Sequence, residues 1–364
     1  MFALTAVQAF FGDSLLVEYG DANSPRYVLI DGGPAHTYEM HLSGVLRKLK
    51  QQGRDLELMV LSHVDTDHVT GLLDLLADVR GGNADALPPI KALWHNSFAN
   101  TIDPNGALAP RLKTMLATAG AEAMSNSAIA INGIAEGHQL RTQALAVPIP
   151  LNPGFADDVV MAETAGAPWR SKNLELTVVG PTEPNLKALR TDWEEWLADN
   201  EDAVNSTEPY VMANSDRSIP NLSSIQLLAK ADGKSMLLTG DGRSDHLVQA
   251  LKQNGLLDGN GKMHVDLLKL PHHGSSRNAT KTFFKKITAD TYVASADGRD
   301  DNPDLATLIW IVEAAHEAGR QIRIVCTNET ESTEKITEEY DPGDYGYTLD
   351  IMGQGKHEIR IPLA

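Results

Sequence analysis

Four side chains able to ligate a metal fall within six consecutive positions: His63, Asp65, Asp67 and His68, in the run Ser62-His63-Val64-Asp65-Thr66-Asp67-His68. Imidazole and carboxylate are ordinary ligands of divalent transition metals. In a tight loop, alternate positions 63, 65 and 67 present their side chains to one side, and 68 adds a fourth from the start of the next helix. A plain polar turn with Asp67 capping a helix is the ordinary alternative. One cap explains one aspartate and leaves two histidines and a second aspartate beside it. Three other segments resemble this one in placing polar residues after an apolar run: Leu29-Ile30-Asp31-Gly32-Gly33, Leu238-Thr239-Gly240-Asp241-Gly242 and Lys269-Leu270-Pro271-His272-His273-Gly274-Ser275. Asp31 alone would pass as a turn residue, whereas paired histidines in a Gly/Ser loop are harder to assign to structure alone. The chemistry such a set supports is metal-assisted hydrolysis. A divalent ion lowers the pKa of water toward neutrality, supplies hydroxide at pH 7 and neutralises charge on the attacked oxygen. A structural zinc site is disfavoured because there is no cysteine cluster. No phosphate-binding Gly-rich loop, serine nucleophile elbow or dinucleotide fingerprint competes.

These residues need strands and helices to hold them. LTAVQAF, SLLVEYG and RYVLID read as short strands separated by Gly, Asp, Asn and Pro. Helical spacing runs from Tyr38 to Gln51, with Gly53 as its stop. ELMVLS (57–62) reads as a buried strand, His68 to Asp78 as a helix, and IKALWH (90–95) as another strand. Residues 100–170 are Ala-, Asn- and Pro-rich with weak periodicity; a helix near Arg111 to Ala123 and then a loop-rich insertion are expected. LELTVVG (174–180) returns to strand, followed by an acidic helix through Trp193 and Trp196. SSIQLLAKADGKSMLLTGD carries two strands with a turn at Asp232-Gly233. VDLLKLP, TYVAS and QIRIVC read as strands, with a helix around Leu305–Ala318 before the last. YGYTLDI and HEIRIPL are expected to form a final strand pair. Strands then helices, twice over, suit a two-sheet sandwich with helices outside.

Composition bounds the rest. The chain has 364 residues, 42% hydrophobic and 22% charged, enough for a sizeable core. No apolar run approaches the ~20 residues that cross a bilayer. MFALTAVQAF lacks a basic region and a small-residue cleavage site, so no signal peptide is read there. The one cysteine, Cys326, excludes an internal disulfide and reads as a buried strand residue in IRIVC. These features favour the cytoplasm. A net charge of −18 argues against broad adhesion to nucleic acid or an anionic membrane. The charge is uneven, however: between Lys269 and Lys286 stand Arg277, Lys281 and Lys285 with no acidic residue, just after the paired histidines. A solvated face is the default for such a run, and its place beside the histidines makes it a candidate to meet a phosphate backbone.

As a group, FGDSLLVEYG, LIDGG, SHVDTDH, the NLSSIQLL…LLTGDG hairpin and LKLPHHGSS resemble the metallo-β-lactamase fold superfamily. More narrowly, they look like the soluble domain of ComEC-type competence proteins and related stand-alone metallo-hydrolases. The resemblance spans roughly residues 5–330 and leaves 100–170 unmatched. It implies an α/β fold, an αββα two-sheet sandwich with helices on the outer faces, formed by one domain over 1–364 with an insertion around 100–170. It implies His63, Asp65, Asp67 and His68 as loop ligands, Asp241 as a carboxylate shared by two metals, and one of His272 and His273 closing the second site, with His272 preferred. Asp31 would orient the loop. Asp67 would orient the hydroxide, and His273, if not a ligand, would stabilise the attacked oxygen or protonate the leaving group. Two features depart from the broad superfamily. Asp65 stands where a second loop histidine is usual, and no motif marks the histidine usually found between the loop and Asp241. His95 and His138 are the histidines in that interval, and a structural role is the simpler account of each. The implied cofactor is one or two divalent ions, Zn²⁺ or Mn²⁺. The implied activity is phosphodiester hydrolysis, with nucleic acid admitted as substrate and Arg277, Lys281 and Lys285 as candidate phosphate contacts. The alternatives are a hydrolase of a small phosphoester, ester or lactone, and a metal-binding interaction module without turnover. Membrane is not expected as a partner, and oligomeric state is not read from the sequence.

Overall fold

A computed structural model describes residues 1–97, 101, 139–199 and 223–364. Its strands form two sheets. The first has six strands in the order β14-β1-β2-β3-β4-β5, the second eight in the order β13-β12-β11-β10-β9-β8-β7-β6. The first comprises β1 (Phe2–Val7), β2 (Leu15–Asp21), β3 (Ser24–Ile30), β4 (Leu56–Val60), β5 (Leu93–Trp94) and β14 (Glu358–Pro362). The second comprises β6 (Trp169–Ser171), β7 (Leu174–Gly180), β8 (Gln226–Ala231), β9 (Lys234–Leu238), β10 (Met263–Lys269), β11 (Ile287–Ala294), β12 (Ile322–Cys326) and β13 (Tyr347–Ile351).

The alternation of side chains along each strand explains why two sheets stack and why helices cover them. On β2, Leu15, Val17 and Tyr19 enter the layer between the sheets, while Leu16 points to the outer face. On the facing sheet, Leu227 and Ala229 of β8 and Met236 and Leu238 of β9 fill the same inner layer, while Leu228 and Leu237 pack outward. Strands apolar on both faces need cover on both. On the first sheet it comes from α1 (Ser43–Gln51), entered through a π-helical turn at Tyr38–Leu42, and from α2 (Thr66–Asp78). Val69, Leu72, Leu73 and Leu76 follow helical spacing and are buried in the outer cluster. The second sheet is covered by α4 (Ser244–Gln253), α5 (Lys281–Lys286) and α6 (Leu305–Glu317); α3 (Glu183–Asp199) follows β7. The result is the mixed α/β, two-sheet sandwich expected from the sequence.

Three expectations need correction. YGYTLDI and HEIRIPL are strands, but they do not pair with each other. β13 runs parallel to β12 in one sheet, and β14 runs antiparallel to β1 in the other. The chain crosses between sheets at residues 352–357, so each segment completes a different open edge, and Ile361 enters the inner layer. IKALWH is strand only at Leu93–Trp94, with Ile90 in an isolated bridge to Leu56. The helix expected near Arg111 to Ala123 lies outside the described residues. Residues 139–146, expected as loop, are helical and bury Leu140 and Ala144. Among the described residues no helix is long and apolar enough to cross a membrane.

β3 and β4 run parallel, as do β9, β10 and β11. The carboxyl ends of each set therefore open on one side. Asp31 follows β3, the loop 62–68 follows β4, Asp241 follows β9, and His272 and His273 follow β10. Ile225 N–H donates to Ser62 O at 2.8 Å, tying the loop of the first sheet to the start of β8 in the second.

Candidate metal centre

The loop 62–68 is held from below by Asp31. Its Oδ1 accepts the Ser62 N–H at 2.7 Å, and its Oδ2 accepts the Ser62 hydroxyl at 2.6 Å and lies 2.9 Å from His68 Nδ1. With Nδ1–H donating to Asp31, the His68 Nε2 lone pair is left to face the centre. The following Gly32 is pressed against α2: a Cβ there would meet Leu72 N at 2.3 Å, and one on Gly71 would meet Gly32 O at 1.9 Å. This close approach seats the start of α2, and with it Asp67 and His68, on the Asp31 loop. The N-cap of α2 is Asp65, whose side chain makes no capping bond, and Asp67 lies within the first turn. Capping therefore does not account for either aspartate.

Asp241 Oδ2 is the hub. It lies 3.6 Å from His63 Nε2, 3.3 Å from His68 Nε2, 3.6 Å from His272 Nε2 and 3.4 Å from His273 Nε2. On one side, Asp65 Oδ2 is 3.3 Å from His63 Nε2. On the other, Asp67 Oδ2 is 3.5 Å from His68 Nε2 and 3.3 Å from His273 Nε2. Asp67, His68, Asp241 and His273 each bring one ligand atom within 4.8 Å of all the others. His272 and His273 both adopt left-handed backbone angles, φ 47° and 56°. Strain of this kind in non-glycine residues persists where the surroundings hold it, and it aims both rings back at Asp241.

These contacts are too long for charge-assisted hydrogen bonds, which close to about 2.7–2.9 Å. Ligand atoms placed about 2.0–2.2 Å from a shared ion in tetrahedral array stand roughly 3.3–3.6 Å apart. The observed spacings fall in that range. In addition, His63 Nε2, His68 Nε2, His273 Nε2, Asp65 Oδ1 and Asp241 Oδ1 are buried without any hydrogen-bond partner. Such orphaned atoms are costly, about 1–3 kcal/mol each. A divalent cation between Asp67, His68, Asp241 and His273 would give the His68 and His273 nitrogens the partner they lack, and a second beside His63 would do the same there, so the residues present fit a metal.

The electrostatics of the metal-free cluster are strongly mutual. Burial works to raise the Asp241 carboxyl, but His273, His68, His272 and His63 outweigh it and hold it well below the usual range. Asp67 is likewise subject to burial yet drawn down to about 2 by His68 and His273. Burial opposes charge on His68 and His273, but Asp241 and Asp67 push the first well above its ordinary value, and Asp241 and Asp13 do so for the second.

The sequence reading favoured His272 as the ligand and gave His273 a separate role. Both rings reach Asp241, and it is His273 that joins Asp67 and His68. The His272 side chain is 27% exposed, and its Nδ1 contacts Asn278 Oδ1 at 2.9 Å; the His273 side chain is 3% exposed. His95 is buried, its backbone clasped by the Asn152 side chain, and it joins neither group of candidate ligands. Burial, with Arg141 adding, pushes its pKa down to about 4. His138 lies outside the described residues. Lys281 and Lys285 are partly exposed but paired with carboxylates of the covering helix. Lys281 pairs with Glu313 at 2.6 Å and Glu317 at 2.8 Å, and Lys285 with Glu317 at 2.6 Å. Arg277 lies on the loop between His273 and α5.

Residues that motif reading passed over also support the centre. Asn278 Nδ2 donates to Asp241 O at 3.1 Å, and the Ser295 carbonyl lies 2.9 Å from His273 Nδ1. Asp13 and Lys269 form a fully buried ion pair nearby, at 2.6 Å. The available signal was a lysine in the otherwise apolar run VDLLKLP, since buried lysines are nearly always paired.

Two stacked sheets with outer helices bring a His/Asp cluster that could hold a metal ion to their strand ends. Residues 7–99, which carry Asp31, His63, Asp65, Asp67 and His68, match the family model of the Metallo-beta-lactamase superfamily, and the two-sheet fold agrees with that assignment. A search of curated proteins gave no match.

Proposed function

We propose that this protein hydrolyses a phosphodiester, nucleic acid included, at a centre held by His63, Asp65, Asp67, His68, Asp241 and His273, with His272 at its open side. The observation that carries the reading is the spacing of partnerless ligand atoms around Asp241 Oδ2. Bound Zn²⁺ or Mn²⁺, one or two ions, would lower the pKa of water and neutralise charge on the phosphoryl oxygens. Asp241 is placed to be shared between the His63–Asp65 side and the Asp67–His68–His273 side. His63, His68, Asp241 and His273 are sealed from solvent, whereas the Asp65, Asp67 and His272 side chains are 18%, 20% and 27% exposed. Substrate therefore approaches over those three. Asp67 can orient the attacking water, and His272 can pass a proton to the leaving oxygen, the role the sequence reading gave to His273. The ComEC-like resemblance supports the phosphodiester.

A second reading is a small phosphoester, ester or lactone as substrate. The pairing of Lys281 and Lys285 with Glu313 and Glu317 favours it, because those cations are already balanced within the protein. The test is elemental analysis of the purified protein after Zn²⁺ or Mn²⁺ reconstitution, followed by turnover of a bis-aryl phosphate, an aryl phosphate, an aryl ester and a lactone. Diester turnover that disappears in Asp67→Asn supports the proposal. Turnover of ester or lactone alone transfers support to the second reading. No metal uptake under either condition refutes both.

A further inference from the structure

The loop between β1 and β2 carries Gly12-Asp13-Ser14 into the space between the sheets. Asp13 and Lys269 are buried at 1% and 0% exposure, and Lys269 Nζ lies 2.6 Å from Asp13 Oδ2. The ammonium also donates to Leu270 O at 3.0 Å. Removing two charges from water is expensive, and such a pair is retained where its geometry is well made. The second carboxylate oxygen, Asp13 Oδ1, makes no hydrogen bond and lies 3.5 Å from His273 Nδ1. The same Nδ1–H donates to Ser295 O at 2.9 Å, and the Ser295 hydroxyl donates to Gly12 O at 2.6 Å. Gly12 in turn rests on the loop ligands: a Cβ there would meet Asp67 O at 1.9 Å. One short loop of the first sheet thus touches the backbone of Asp67 and the ring of His273, and is anchored to β10 and β11 of the second sheet.

We propose that Asp13, clamped by the Lys269 ammonium, is a positioning residue that holds the His273 imidazole with Nε2 turned toward Asp67, His68 and Asp241. The proposal rests on reading that cluster as a metal centre. A competing account makes Asp13, Asp31 and His68, whose ligand atoms also lie within 4.8 Å of one another, a separate cation site. The contacts oppose it. Lys269 already supplies the positive charge at Asp13 Oδ2, and both Asp31 oxygens accept from Ser62 while Oδ2 also faces His68 Nδ1. Ring nitrogens distal to a metal are held by carboxylates or carbonyls, and losing such a partner costs about 10–100-fold in metal affinity. Here the Ser295 carbonyl accepts the proton, and the Asp13 carboxylate 3.5 Å away adds its negative charge on the same side of the ring.

The test compares wild type with Asp13→Asn, Lys269→Met and the double variant, using Lys234→Met at the part-buried Lys234–Asp266 pair, away from the cluster, as control. Co²⁺ affinity is measured by competitive titration and its visible spectrum recorded. Imidazole ¹⁵N shifts are measured on the metal-free proteins, with folding checked by circular dichroism. Asp13→Asn is expected to stay folded, to lose about 10–100-fold in Co²⁺ affinity, to alter the Co²⁺ spectrum and to move the His273 ¹⁵N shifts. Lys234→Met should do none of these. If a lone buried charge unfolds either single variant, the double variant removes both charges together and should fold with the same affinity loss. Folded variants with wild-type affinity, spectrum and His273 shifts would overturn the proposal. Unfolding of all three would overturn it too, making the pair a brace of the fold. If wild type takes up no Co²⁺, the metal reading falls, and the ¹⁵N shifts of the metal-free variants alone decide whether Asp13 positions His273.

Discussion

Replacing Asp31 with Asn would keep the side chain's shape and remove one acceptor from the base of the centre. The carboxylate accepts from three groups: Ser62 N–H at Oδ1, and the Ser62 hydroxyl and His68 Nδ1–H at Oδ2. An amide offers one acceptor oxygen and an NH₂ that can only donate. If the oxygen stays on the Ser62 N–H, the NH₂ faces the Ser62 hydroxyl and His68 Nδ1. The hydroxyl can turn and accept. His68 can accept only by moving its proton to Nε2, the atom that faces Asp241 and Asp67. The substitution therefore selects the tautomer that cannot ligate. A hydrogen bond to a charged group is worth about 1.5–3 kcal/mol, or roughly 10–150-fold in metal affinity if it is spent on the tautomer. Zn²⁺ affinity by chelator competition, and imidazole ¹⁵N spectra of the metal-free protein followed up the alkaline pH range until His68 is neutral, read the two effects separately. Asp31→Asn that is folded, binds Zn²⁺ as wild type does and keeps His68 in the Nδ1–H form would refute the reasoning.

Asp241→Asn should reduce metal loading on both sides of the centre, because four imidazoles lose their common anion, whereas Cys326→Ser should leave loading of the folded protein intact; equal loss in both, by elemental analysis, would point to misfolding. Cys326→Ser should instead lower unfolding stability by about 1–3 kcal/mol in denaturant titration, as a hydroxyl replaces a thiol in the core. Lys281→Gln with Lys285→Gln should leave the salt dependence of KM on single-stranded DNA unchanged, because both cations are engaged by Glu313 and Glu317; a shallower slope would show that they do meet phosphates. His95 is buried neutral with its pKa near 4, against about 6.5 unfolded. The unfolded state therefore takes up the proton first, and stability should fall as pH drops from about 6.5 toward 4, by an amount on the order of 3 kcal/mol. His95→Leu should remove that part of the pH slope in denaturant melts of the metal-free protein, and an unchanged slope would count against the burial argument.

The legible parts of this fold are those in which one segment carries its own instructions. The strand LELTVVG was expected over 174–180 and is found at Leu174–Gly180, because alternating apolar residues fill the inner layer. The helix after the histidine loop was expected from His68 and begins at Thr66, since the spacing of Val69, Leu72, Leu73 and Leu76 fixes its buried face. The turn at Asp232-Gly233 joins β8 to β9 as expected. What a segment does not carry is its partner. YGYTLDI and HEIRIPL have the same short apolar pattern, and either could have paired with the other. The open edges of β12 and β1, separated in sequence from both, decide that one joins each sheet.

The same distinction governs the centre. The run 62–68 names its ligand types at a glance, but which ring of the His272–His273 pair is sealed and which is open depends on groups from other strands. Ser295 O and Asp13 lie against His273, while Asn278 lies against His272, and none of these is fixed by the local spacing of the pair. Lys281 and Lys285 show what a run cannot tell about its surroundings. Their helical spacing does put them on one face, as the sequence suggested, but α6 lays Glu313 and Glu317 against that face. A basic run draws phosphate less strongly when the fold sets counter-charge beside it. Here the counter-charge lies some thirty residues further along the chain, where no reading of the run itself would find it.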